Sequence, residues 1–271
     1  MKKLLLSGLV ALGSAYSLHA AAAPISYFGA GVGPGGVAVN ATAIFDIVGN
    51  FLTLTLTNTS PSNTGTDVPG STLTGVFWDF VGDPVLTPIS ATVAAGSIVS
   101  APCTDNPNCS TITNVGGEFG YQATTFPGSA DRGIASSGYL DTGLPGNIGN
   151  FNNGAAGTNL DDPNSLDGIN FGIISAAAGF NGNGGLDSVP LVRDKVTFVL
   201  SGVNGLTNAS ISRVSFQYGT SLNALNIPGT VGGGGGGTGN PIPEPATAAI
   251  FGLGLLGFAA TRRQVGKHKN A

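Results

Sequence analysis

The side chains that carry most enzyme chemistry are scarce in this chain, and their positions decide which reactions stay open. The 271 residues include two histidines, His19 and His268, and two cysteines, Cys103 and Cys109. Both histidines fall in end segments expected to be removed, so the mature body has no imidazole. That excludes Ser-His-Asp and Cys-His nucleophilic chemistry and the usual zinc sites. The cysteines are spaced C-x5-C in APCTDNPNCST, a polar loop containing proline. In an oxidising compartment this spacing predicts a local disulfide between Cys103 and Cys109. A redox-active pair fits less well, because the spacing is not C-x-x-C and no basic neighbour would depress a thiol pKa.

Any remaining catalysis would run on carboxylates, lysine or tyrosine. The segment NLDDPNSLDG (159–168) gathers Asp161, Asp162 and Asp167 with Asn159 and Asn164. Calcium takes oxygens from such side chains, so a Ca2+ site of modest affinity is one expectation. The segment lacks the residue order of an EF-hand loop, and turn formation by Asp and Asn explains it as well. A hydrolase would need two acids facing each other at ~5–5.5 Å or ~6.5–9.5 Å, and no spacing here selects a pair. No catalytic residue is therefore assigned. Trp78, the single tryptophan, alternates with Val76 and Phe80 and so reads as a core residue. The alternative is a sugar-stacking platform, with Asp79 and Asp83 binding hydroxyls beside it.

The elements that would position these residues are strands. The clearest run is ATAIFDIVGNFLTLTLTN (41–58). A turn at Gly49-Asn50 pairs Val48 with Phe51, Ile47 with Leu52, Phe45 with Leu54 and Ala43 with Leu56. It leaves Asp46 opposite Thr53, Ile44 opposite Thr55 and Thr42 opposite Thr57 on the other face. One register thus sorts nearly all apolar residues to one side, as a half-buried antiparallel hairpin requires. Strand patterns recur at 72–82, 88–100, 117–124, 168–174, 195–202 and 211–220, and no stretch of the body keeps helical spacing for three turns. The expectation is one all-β domain, an antiparallel β-sandwich with a jelly-roll-like arrangement. Between 125 and 168 the pattern lapses into Gly, Asn, Ser, Asp and Pro, which predicts a long loop.

The two ends read differently. Lys2 and Lys3, an apolar stretch at 4–18 and HAAAAP (19–24) have the layout of a secretory signal peptide, assigned to residues 1–23. The β-domain is expected over 24–228, a Gly-rich tether over 229–242 and an apolar tail over 243–271. Short helices are expected in the signal peptide and the tail alone. From Ala246 to Ala260 the tail's apolar run spans ~22 Å at ~1.5 Å per residue, short of the ~30 Å hydrocarbon core. With the ends removed, the body has four bases against thirteen acids, a net charge of about −9. That sign repels phosphate backbones, so no nucleic-acid partner is expected.

Pro243, Glu244 and Pro245, then the short apolar run, then Arg262 and Arg263, together resemble the PEP-CTERM sorting signal of Gram-negative bacteria. The resemblance implies an exosortase that recognises the tail and cleaves near Pro-Glu-Pro. It also implies export through the Sec machinery and signal peptidase, transient membrane insertion through the C-terminal helix, and delivery to the cell surface or a polysaccharide matrix. In the body, LTGVFWDF (73–80), NSLDGINFGI (164–173) and VSFQYGTSLNALNIPG (214–229) are similar to an uncharacterised family of exosortase-dependent surface proteins. The expected function is a non-enzymatic surface or biofilm-matrix protein that meets extracellular polysaccharide. The alternatives are a calcium-dependent carbohydrate-binding adhesin and a carboxylate-based glycoside hydrolase.

Overall fold

The 41–58 run folds as its alternation requires. In the computed structural model, β2 (Ala38–Val48) and β3 (Phe51–Asn58) form an antiparallel hairpin. Every pairing expected from the sequence is present, from Val48 opposite Phe51 to Thr42 opposite Thr57. Gly49, the first central residue of the turn, has φ of 61°. A left-handed first position followed by an ordinary second is the type II′ pattern, which suits the twist of the flanking strands.

The structure describes residues 22–61, 69–100, 109–123, 125–137, 159–161, 169–178, 186 and 189–232. Around the hairpin stand β1 (Ile25–Val32), β4 (Leu73–Phe80), β5 (Thr87–Val93), β6 (Ile98–Val99), β7 (Gly120–Ala123) and β8 (Arg132–Ala135). They are followed by β9 (Ile173–Ile174), β10 (Val192–Arg193), β11 (Lys195–Ser201), β12 (Ile211–Tyr218), β13 (Asn226–Pro228) and β14 (Thr230–Val231). Sheet 1 runs β14-β1-β2-β3-β11-β5. Sheet 2 runs β13-β12-β4-β9-β10-β6, with β8 added on β4 and β7 on β8. All pairs are antiparallel except β9 with β10. The chain is a two-sheet β-sandwich. Helical structure among the described residues consists of 3-10 turns of three residues, such as Pro127–Ser129; these were not expected. Residues 1–21 of the expected signal peptide and the tail from 243 lie outside the described residues; Ala22 and Ala23 are described, and their carbonyls accept from the Asn208 side chain at 3.2 and 2.8 Å.

Two boundaries differ from expectation. The region 125–168, expected as loop, contains β8, which pairs with both β4 and β7. Its four residues are all buried, and a strand so short and buried on both faces shows no alternation to read. The domain also continues past 228 into the stretch expected as tether. Thr230 and Val231 pair with Phe28 and Tyr27 of β1, because the edge of β1 offers free backbone groups even to residues set between glycines.

The core lies between the sheets. Sheet 1 contributes Phe45, Leu54 and Phe198 in one row, with Leu52, Leu56, Val196 and Leu200 beside them, all fully buried. Aromatic rings carry the contact across the gap. Tyr27 meets Phe45 edge-on at 5.9 Å, and Phe45 meets Trp78 of sheet 2 at 5.8 Å, spacings at which edge-to-face pairs are favourable. The Tyr27 hydroxyl donates to the Ile211 carbonyl at 2.6 Å. At Gly29 a Cβ would lie 2.5 Å from the Phe216 ring, so the bare backbone of β1 is what lets the sheets approach there.

Candidate functional site

At one end of β4 five charged side chains gather: Asp79, Asp83, Asp131, Arg132 and Arg213. Arg132, the first residue of β8, has a side chain only 2% exposed, and it pairs with Asp83 and Asp131. Its guanidinium also donates to the Pro84 carbonyl at 2.8 Å and lies 5.7 Å from the centre of the Phe80 ring. Burial alone would lower its pKa, but the hydrogen bonds it donates to Asp131 and Asp83 outweigh burial and raise it. On the neighbouring strand Asp79 accepts from the Asp131 amide at 2.6 Å and pairs with Arg213 at 2.9 Å. Burial pushes the Asp79 carboxyl up; the Asp131 amide opposes this, the nearby Asp131 charge adds to it, and Arg213 opposes it. Burial likewise raises the Tyr121 hydroxyl to about 12.

This network ties together the turn after β4, the segment before β8 and the bulge of β12. Asp83 and Arg213 have φ of 47° and 48°, and Ser129, whose carbonyl accepts from Arg213 at 3.3 Å, has φ of 62°. The backbone bends left-handed at three points where the loops meet these charges. Each carboxylate is engaged by a guanidinium, or by a guanidinium and an amide, so the chemistry of the cluster is charge compensation.

The sugar platform at Trp78 is corrected by its environment. The indole is fully buried between Phe45 and Tyr121, so neither face can stack on a ligand. Its alternation with Val76 and Phe80 predicts this core position. Asp79 is only 8% exposed and is held by Asp131 and Arg213, not by solvent. Asp161 accepts from the Asn114 side chain at 2.7 Å, while Asp162 and Asp167 lie outside the described residues. Among the described residues no three His, Cys, Asp or Glu side chains are grouped to hold a metal ion. Cys109 is buried in a 3-10 turn; Cys103 lies outside the described residues.

The feature that sequence reasoning did not single out is the outer face of sheet 1. Its strands align hydroxyl side chains in rows across the sheet. The central row is Ser26, Ile44, Thr55, Thr197 and Thr92, one residue from each of five strands. A second row joins Thr230, Phe28, Thr42, Thr57 and Lys195. The hydroxyls of Thr55 and Thr197 stand 3.3 Å apart. The signal for half of this face was the TLTLT alternation of β3; the pairing of β3 with β11 was not visible.

The comparisons with known proteins bear on the tail. No curated protein and no solved structure matches the chain. Residues 241–264, which include Pro243, Glu244, Pro245, Arg262 and Arg263, match the PEP-CTERM protein-sorting motif, and on this match the chain is an exported, exosortase-processed protein.

Proposed function

We propose that the chain is a non-enzymatic protein of the cell surface or extracellular matrix of a Gram-negative bacterium, held at the inner membrane by its tail until exosortase cuts it. The observation that carries this reading is the sorting motif at 241–264, placed directly after a closed β-sandwich. The geometry suits it. The Gly232 amide donates to the Ser26 carbonyl at 3.1 Å, so the chain leaves the domain beside its own first strand. A cut near Pro-Glu-Pro leaves every described strand of both sheets in the body. The engaged carboxylates around Arg132 support a body without catalytic acids.

Replacing Glu244 with Ala is expected to leave uncleaved precursor in the membrane fraction of a host with the cognate exosortase, seen as a larger band on immunoblotting. Normal processing of that variant would overturn the assignment. We also propose the Cys103–Cys109 disulfide, which the burial of Cys109 in an exported chain supports. Mass spectrometry of the unreduced secreted protein then finds neither thiol alkylated, and alkylation of both without reductant would exclude the bond.

A further inference from the structure

We infer that the outer face of sheet 1 binds a neutral polysaccharide, with the extended glycan lying across the strands on the row centred on Thr55 and Thr197. The inference rests on the matrix reading above and gives that reading a contact surface.

The argument starts from the chemistry of the face. Threonine presents a hydroxyl, which both donates and accepts, beside a methyl group. A pyranose presents the same mixture, with hydroxyls at its rim and C–H groups on its faces. Strands lie ~4.8 Å apart, so Thr55, Thr197 and Thr92 bring three hydroxyls side by side on adjacent strands. Those of Thr55 and Thr197 share a hydrogen bond at 3.3 Å and that of Thr92 donates to the Thr197 carbonyl at 3.5 Å, which leaves each with acceptor capacity. Such a row suits a polymer that repeats its own hydroxyls along one direction. Ile44 interrupts the row and stays 39% exposed, supplying an apolar spot for a sugar C–H face.

Charge narrows the ligand. The paired outer residues of β2, β3 and β11 include two ionisable side chains, Asp46 opposite Thr53 and Lys195 opposite Thr57, and Lys195 is paired with Asp194 at 3.1 Å. The body as a whole carries about nine net negative charges. A polyanionic glycan is repelled by the body and finds no compensating base on the face. A polycation would collect on the acidic remainder. A neutral chain loses nothing by approaching. A second copy of the protein is disfavoured by composition, since the centre of a protein–protein interface is apolar and aromatic and the centre here is hydroxyl.

The test uses the full-length chain, purified in detergent, run in native gels containing dextran, hydroxyethyl cellulose, galactomannan or alginate. At least one of the three neutral polymers is expected to retard it, and alginate is not. The double variant Thr55→Val with Thr197→Val keeps branched side chains suited to a strand and removes only hydroxyls. It is expected to weaken the retardation about tenfold, as the loss of two modest hydrogen bonds implies. A circular dichroism melt unchanged from wild type shows that the fold survives. Absence of retardation by every neutral polymer, equal retardation of the valine variant, or stronger retardation by alginate overturns the inference. A dimer in sedimentation that the valine pair dissociates also overturns it, by making the face a self-contact. None of these outcomes touches tail processing, which the Glu244 variant reads separately.

Discussion

The two sheets of this sandwich treat their outer faces in opposite ways. Sheet 2 is covered on both sides along its central strand: all eight residues of β4 are buried. On its outer side Phe77 stacks on Phe126 at 4.6 Å with the rings nearly parallel, and Ala135 and Leu222 complete a second small cluster. Even polar outer residues are enclosed and satisfied there. Thr74 donates to the Gly219 carbonyl at 2.6 Å and Gln217 to that of Ser221 at 2.8 Å. Among the described residues sheet 1 has no such cover, and its outer residues in β2, β3 and β11 are half-buried or exposed. The described loop residues Phe126, Ala130 and Leu222 pack over sheet 2, while the paired outer residues of sheet 1 form a broad, nearly uncharged plane. Burial of β4 on two sides is a device of stability, whereas the bare sheet is where a partner has room.

This contrast predicts unequal costs for like substitutions. Phe126→Ala removes one ring of the stack over sheet 2 and is expected to cost about 3 kcal/mol, in the range of buried Phe truncations. Phe51→Ala on the outer side of sheet 1, where the ring is 51% exposed, is expected to cost under ~1 kcal/mol. Urea unfolding of both variants measures the difference, and equal costs would remove the distinction between the sheets.

A smaller effect concerns pH. The folded-state pKa of Asp79 is raised above its unfolded value, with burial as the leading cause. The native state therefore keeps this proton longer than the unfolded chain. The associated stability is fully present below the ordinary aspartate value of about 3.9 and is lost as pH rises through the higher native value. Asp79→Asn removes that loss, so its Tm is expected to gain on wild type as pH rises from 3 to 7. A constant Tm difference over that range would show that the site is not desolvated. The smallest effect belongs to Thr53→Ala on the open face, expected within ~0.5 kcal/mol of wild type in the same urea assay.

The hairpin β2–β3 was legible residue by residue because a single register separates its apolar and polar sets, and its turn is local. Trp78 was legible as a core residue for the same reason. The partner of β3 on its other side was not, since β11 lies about 140 residues further along the chain and any alternating strand satisfies the same pattern. Arg132 was illegible for a different reason. Sequence marks it as charged and so as exposed, and only the convergence of Asp83 and Pro84 after β4 with Asp131 before β8 makes its burial tolerable. Asp79 followed the same logic, its neighbours in space being Asp131 and Arg213 rather than a ligand.

The pairing of β14 with β1 also has a mechanical side. On the surface display proposed above, load would enter the described domain through β14, at Val231. Because β14 runs antiparallel to β1 and leaves beside Ser26, tension directed away from that edge opens the Tyr27–Val231 and Phe28–Thr230 contacts one after another, as a zipper opens. Such peeling yields at low force, while β2, β3 and β11, linked side by side through much longer ladders, carry little of the load. Under such a load the two-residue strand would part from β1 before any core strand is disturbed, as a fuse does.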